Sequence, residues 1–390
     1  MKNRYSEAFR YFILPALLYL TISLMGGMWI RLQWAVPTWT LFTTKFMIHA
    51  HSHLALLGWL FLALFRLLLP KSITLSLSSK VVLWLLHGTV ITMFPAFLFQ
   101  GYAFWSITLS TLFLIISYVL IYQFRKELKL GSNFLNSIAI GFYILSTIGP
   151  WALGGATRFG TEWLNAWIAF FLHLQFNGWV TFAILAILFK HIHLDKYSRI
   201  GISLIAFSSF IVTPGFMYSN NSPLWQGVVA IGSILMIIGL LMSSFFLIKN
   251  SSYLSTKSIF ISLFLIKTGL ISLVSFDVAQ TWIHHIHSFR VAFTHFVLLS
   301  WASSVILFAL FGQTRLWLLF FASALLKGSI LGLEAFQIIP ILHLPFSIQW
   351  IYVFLGSLML ASLIGLIYQY IVTKVPFHFS QFSEPYKAND

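Results

Sequence analysis

Apolar runs of about twenty residues recur along the whole chain, and they decide its solvent before any motif is read. A helix rises 1.5 Å per residue, so each run is long enough to cross about 30 Å of hydrocarbon. Twelve such segments are expected, at 11–30, 46–69, 81–99, 103–123, 134–153, 162–190, 198–217, 225–248, 257–275, 281–311, 316–338 and 347–373. Only 8% of the 390 residues are charged and 59% are hydrophobic. A soluble domain carries about 25% charged residues. The expectation is an all-α, polytopic membrane protein forming one transmembrane domain over 1–390.

The net charge of +15 sits in the connections and reports orientation, not affinity for nucleic acid. Alternate connections carry Lys2, Arg4 and Arg10; Arg66, Lys71 and Lys80; Arg125, Lys126 and Lys129; Lys190, Lys196 and Arg199; Lys249 and Lys257; Arg315; and Lys374 and Lys387. The other set holds little beyond Arg31, Lys45 and Arg158. By the positive-inside rule both termini are cytoplasmic, and the expected location is the inner (cell) membrane. The basic start "MKNRYSEAFR" reads as the lead into a retained first helix. There is no Cys, which excludes disulfides, iron–sulfur clusters, blue copper and covalently attached c-type haem. No Gly-rich phosphate loop, paired carboxylates or HExxH motif occurs. With no soluble domain, electrons would come from a lipid quinone or a separate cytochrome.

A repeat lies inside this pattern. His–five residues–Trp occurs as "HLALLGW" (His53 to Trp59), "HLQFNGW" (His173 to Trp179) and "HFVLLSW" (His295 to Trp301). The histidines are 120 and 122 residues apart, at 53, 173 and 295. They fall on the second, sixth and tenth segments. Three four-helix arcs of like topology are expected, at about 11–123, 134–248 and 257–373. Equivalent histidines on like-oriented helices converge at one depth, toward the outer face. Imidazole ligates haem iron, copper or zinc without carrying charge into the membrane. The alternative is a set of buried hydrogen bonds between helices.

The stretch "HAHSHLALLGW" (His49 to Trp59) adds His49 and His51. Residues four apart share a helix face and residues two apart point about 200° away. His49 and His53 therefore face one neighbour and His51 another. The candidate cofactor ligands are His51, His53, His173 and His295, enough for one or two b-type haems. A second cluster, "WIHHIHSFRVAFTH", brings His284, His285 and His287 before His295. With His49 these are the candidate metal ligands at the outer surface; the plainer reading is an interfacial polar cap. On a continuous helix His284 would share a face with His295, about 16 Å further out. His191 and His193 read as solvated loop residues, His87 as a helix–helix hydrogen bond in preference to a ligand, and Asp277, Gln280 and Thr281 as loop. Glu334 reads as a proton-route acid or as a hydrated helix end.

Twelve helices with histidines on the second, sixth and tenth resemble subunit I of the heme–copper oxidase superfamily, which includes nitric oxide reductases. "HSHLALLG" (His51 to Gly58) is similar to that family's His-x-His-L-A-x-x-G haem motif, which the family carries on its tenth helix. "HLQFNG" (His173 to Gly178) is similar to the reductases' H-L-x-x-E-G, and "HFVLLSW" to the end of the tenth-helix pattern. "HAHSHLALLGW" also resembles the H-A-H-E-x-L-F-G stretch of NnrS-type haem membrane proteins. The resemblance implies three four-helix arcs, His51 and His295 as ligands of a low-spin haem, and His173 at the active-site metal. The arcs are alike, so His53 paired with His173 stays open beside His51 paired with His295. The pattern also departs from the family. The seventh segment, "ISLIAFSSFIVTPGF", lacks the two adjacent histidines, Phe293 stands at the high-spin ligand position, and Asn177 stands where the family has Tyr or Glu. A three-histidine copper site is not seen. The resulting expectation is a b-type haem protein in electron transfer or in O2 or NO chemistry or sensing; if an enzyme, it is an oxidoreductase. The alternatives are a copper or haem transporter or chaperone using the same histidines, and a relic of the fold without cofactor.

Overall fold

The computed structural model describes residues 7–39, 41–131, 133–156, 158–190, 192, 194–218, 222–249, 255–336 and 348–373. Among them there is no strand. His191 and His193, expected in a loop, lie outside the described residues. The helices are α1 Phe9–Ala35, α2 Thr44–Leu68, α3 Leu77–Gln100, α4 Phe104–Gln123, α5 Phe134–Gly155 and α6 Thr161–Leu188. They continue with α7 Lys196–Ile211, α8 Thr213–Met217, α9 Pro223–Lys249, α10 Thr256–Ser272 and α11 Asp277–His285. The chain ends with α12 His287–Phe311, α13 Arg315–Ala335 and α14 Ile348–Thr373.

Eleven helices among the described residues are long and apolar enough to cross a membrane. Their outer faces carry exposed Leu, Ile, Val and Phe, such as Leu85, Ile91, Ile107 and Leu241. Such surface is stable only against lipid, so the protein is an integral membrane protein.

Three expected segments are interrupted, the fifth, 134–153, by the single non-helical residue Thr147 inside α5. The seventh, 198–217, is α7 and α8, parted at Val212 ahead of Pro214. Proline has no N–H to donate and crowds the preceding turn, so the helix restarts with Pro214 in the first turn of α8. The tenth, 281–311, is α11 and α12, parted at Ile286, whose φ of −100° and ψ of 99° are extended. The continuous helix that would place His284 and His295 on one face therefore does not exist. Asp277, Gln280 and Thr281 are the opening turns of α11, not loop. The Gln280 amide donates to the Val274 carbonyl at 2.6 Å, tying α11 back to the chain before it.

The contacts gather into two compact units. The first holds α1 to α4, Ile306–Ile330 (the end of α12 and most of α13) and α14. Its interior is aromatic and aliphatic: Phe12, Phe61, Phe65, Phe113 and Trp317 are all buried. The second holds α5 to α11, most of α12 and the last turn of α13. There α7 and α9 cross closely at Gly201 and Gly239; a methyl group on either would lie 2.8 or 2.7 Å from the other's carbonyl oxygen. Small residues allow this backbone approach, which lipid cannot drive by hydrophobicity.

Candidate functional site

The three His–Trp motifs share a backbone feature that the sequence does not announce. Each leads within two residues into a π-helical segment: Leu54–Leu60 in α2, Gln175–Val180 in α6 and Phe296–Ser303 in α12. π turns are rare and concentrate at functional sites. One inserted residue turns everything after it by about 100° relative to a continuous α-helix. The loosened carbonyls are met by hydroxyls five residues on: Thr181 donates to Phe176 and Ser303 to Leu298, both at 2.7 Å. Trp59, Trp179 and Trp301 are all buried within these segments.

Each π segment packs against the helix preceding it in its repeat. The Tyr19 ring of α1 lies on Gly58, where a methyl group would come within 2.9 Å of it. Phe142 of α5 covers Gly178, and Tyr143 meets Trp179 edge-on at 5.4 Å. The Trp301 indole donates to the Phe260 carbonyl of α10 at 3.0 Å. Gly58 and Gly178, each directly before a Trp, thus make room for the neighbouring helix.

Within the first unit, α2 sends its histidines to two sides, as their spacing requires. His49 and His53 face α3 and the turn after it. The His53 ring stacks on Phe97 at 4.0 Å and His49 lies 4.6 Å from Tyr102, centroid to centroid. His51 faces α1 beside Ser23, Gly26 and Gly27. A methyl group on Gly27 would lie 3.1 Å from the ring's Cε1.

Hydrogen bonding fixes which ring nitrogen is available. A carbonyl can only accept, so the nitrogen facing it carries the proton, and the other nitrogen of a neutral ring carries the lone pair. The His51 Nδ1–H donates to the Ser23 carbonyl at 2.6 Å. In His53 and His295 the Nδ1–H donates back along the helix, to His49 at 2.9 Å and Val291 at 2.8 Å. In each the Nδ1–H is held by a carbonyl, which is how metal-ligating histidines are oriented, and in His51 and His53 the lone pair lies on Nε2. The His53 Nε2 receives a long hydrogen bond from the Tyr102 hydroxyl, 3.4 Å.

His173, in the second unit, differs. Its Nε2–H donates to the Ser209 carbonyl at 2.7 Å, and its Nδ1 accepts from the Asn177 amide at 2.9 Å. Both nitrogens are committed. The ring still stacks on an aromatic of the following segment, Phe216 at 4.0 Å. That stack repeats His53 on Phe97, 43 residues along the chain in one case and 44 in the other. The matching stretch after His295 falls within 337–347, outside the described residues.

The cluster of His284, His285 and His287 is loosely built. The His284 Nε2–H donates to the Gly215 carbonyl at 3.0 Å, and Arg290 donates to the Ile283 and His284 carbonyls. His285 and His287 are exposed. Burial, with smaller contributions from His285 and Arg290, holds His284 below the ordinary histidine range. Among the described residues no three His, Cys, Asp or Glu gather as a metal site. His87 hydrogen-bonds α1 at both ring nitrogens, and Glu334 lies in the last turn of α13.

Two buried cations escaped the sequence reading, although both stand alone inside apolar helices. Such residues mark function in a membrane. Lys327 of α13 is 5% exposed and lies within electrostatic reach of both His51 and Arg31. Arg31, 7% exposed, donates to Gln349 at 3.1 Å and lies over the Tyr352 ring at 4.2 Å. Lys267 of α10 donates to Thr181 at 2.6 Å, beside the π segment of α6.

No protein-family model matches the chain, and no curated protein matches it.

Proposed function

We propose that the protein is a membrane-embedded b-type haem protein of redox or diatomic-gas function, with His51 as a ligand to the iron. The observation that carries this reading is the repeated His–π–Trp unit in α2, α6 and α12, in which three of four candidate histidines hold an Nδ1–H against a carbonyl, as His51 does against Ser23. The residues around His51 fit haem chemically. Ser23 orients the imidazole, Gly26 and Gly27 keep α1 clear of the ring, and Arg31 and Lys327 supply positive charge for two propionates. A bound haem would supply one-electron transfer or, with an open axial position, gas binding. The chain's own residues supply orientation, charge balance and exclusion of water. In the second unit His295 holds its Nδ1–H in the same way, whereas both nitrogens of His173 are hydrogen-bonded and fit ligation less well.

The same repeat supports a fold of three four-helix arcs. α7 with α8 is then the twelfth crossing, both termini are cytoplasmic by loop charge, and the inner membrane is the location. Copper fits less well, since among the described residues no three ligands gather. The departures at Asn177 and Phe293 favour electron transfer or sensing over oxygen reduction by a haem–copper pair. A transporter of haem or copper is the second reading. It is favoured by the breaks at Val212 and Ile286, because transporters use interrupted helices. The two readings differ in whether cofactor survives purification.

The test is haem content by pyridine haemochrome in the wild type, His51→Ala and His173→Ala, each made with haem available. His51→Ala should retain roughly tenfold less haem or lower still, and His173→Ala should retain wild-type haem. Equal retention by both variants would remove His51 from its role.

A further inference from the structure

A groove of about 670 Å³ runs along the first unit between α1 and α3, away from the histidines of α2. Its mouth is charged: Arg10 lines it, and Glu7 is ion-paired with Lys80. Its walls are aromatic and aliphatic, formed by Tyr11, Leu18, Trp84 and Ile91. Trp84 stands edge-on to Tyr11 at 6.1 Å and to His87 at 6.3 Å, centroid to centroid. Leu18, Trp84 and Ile91 are 50%, 64% and 58% exposed, so the groove opens along its length to lipid.

The deep end is polar and uncharged. The His87 Nε2–H donates to the Tyr11 carbonyl at 2.8 Å, so Nδ1 is the acceptor and takes the Tyr19 hydroxyl proton at 3.1 Å. His87 and Tyr19 are each 4% exposed. The Tyr19 oxygen keeps its lone pairs, so this end receives a hydroxyl donor. The Tyr11 carbonyl belongs to a π turn, Phe9–Ile13, at the start of α1, the irregularity that marks functional positions elsewhere in this chain. Tyr19 also rests on Gly58, linking the groove to the helix that carries His51 and His53.

We propose that this groove binds a membrane quinol, its flat head between the aromatic walls with one hydroxyl donating to Tyr19, and its isoprenoid tail along the open apolar side. A phospholipid phosphate is a poorer occupant, because the deep end holds no cation. An acyl chain has no use for a buried Tyr–His pair. The volume is that of a small-molecule site. The proposal rests on the redox reading above for its purpose, since it names the electron donor's chemistry, but binding follows from the groove alone.

The test is retention of tritiated decyl-ubiquinol, kept reduced under anaerobic conditions, by the full chain in phosphatidylcholine nanodiscs, against empty nanodiscs. One saturable site displaced by unlabelled quinol is expected. Tyr19→Phe keeps the ring on Gly58 and removes the hydroxyl, and should weaken binding about fivefold to tenfold. Ile91→Phe enlarges one exposed wall residue, narrows the groove and should also weaken binding. No retention beyond empty nanodiscs, binding unchanged in both variants, or equal displacement by an anionic phospholipid added to the nanodisc bilayer would each overturn the proposal. Saturable quinol binding to protein without a haem spectrum would uphold the groove and sink the haem reading. A haem spectrum without saturable quinol binding would do the reverse.

Discussion

α2 and α6 carry the same motif on the same frame, and they use it differently. Both place a histidine ahead of a π segment, bury a Trp inside it, and stack the imidazole on a phenylalanine of the next segment at 4.0 Å. In α2, His51 and His53 give Nδ1–H to a backbone carbonyl, and the His53 Nε2 meets only a long hydrogen bond from Tyr102. In α6 the Ser209 carbonyl and the Asn177 amide consume both nitrogens of His173. The backbone repeat thus sets where an imidazole can stand. Side chains four residues on, or on the next helix, set whether it can ligate. A histidine at the motif position is not by itself a ligand.

The largest expected effect that would break the comparison lies at Gly27. A valine there would press its Cβ against Cε1 of His51 and turn the ring from the Ser23 carbonyl. Haem retention should fall roughly tenfold while thermal unfolding in detergent changes little. Unaltered haem retention would show that the His51 orientation does not matter. A smaller effect is expected in α6. Asn177→Ala leaves the His173 Nδ1 without its donor and should cost about 1 kcal/mol, read as a lowered unfolding midpoint in a denaturing detergent titration, with haem content unchanged. Loss of haem in that variant would make α6 a ligand helix after all.

Much of this comparison was legible in the sequence. The apolar runs gave the helices because length and hydropathy are properties of contiguous residues. The two faces of α2 followed from residue spacing, and the helix–helix hydrogen bond of His87 was the plainer of its two readings. The breaks at Val212 and Ile286 were harder, since apolar composition runs through both; Pro214 was the only local signal, and Ile286 offered none. The π segments were not legible either. A one-residue widening leaves composition untouched, and only the hydroxyls of Thr181 and Ser303 mark it. Lys267 and Lys327 were readable as lone charges in apolar helices, but their neighbours, Thr181 in one case and His51 with Arg31 in the other, come from distant parts of the chain.

The smallest effect sharpens the contrast between the membrane histidines and the outer cluster. Burial favours neutral His284, so the folded state binds fewer protons there than the unfolded chain. The stability this contributes is present above the ordinary histidine pKa of about 6.5 and is lost as pH falls below it. Protection of the α11 amides from hydrogen exchange, taken relative to the intrinsic rate at each pH, should therefore fall between pH 8 and pH 5.5 while that of α2 holds. Protection in α11 that ignores pH would detach His284 from the hold on Gly215.

The central claim is that this chain holds b-type haem. The most direct measurement is the optical spectrum of the purified protein made with haem available, oxidised and then dithionite-reduced, with and without carbon monoxide. The account predicts the sharp reduced bands of a b-type haem. If carbon monoxide leaves them unchanged the iron is held on both sides and the role is electron transfer; if it shifts them, an axial position is open to gas. A featureless visible spectrum in well-folded protein would contradict the account and make the histidines of α2 and α12 parts of a transport path or a cofactor-free fold.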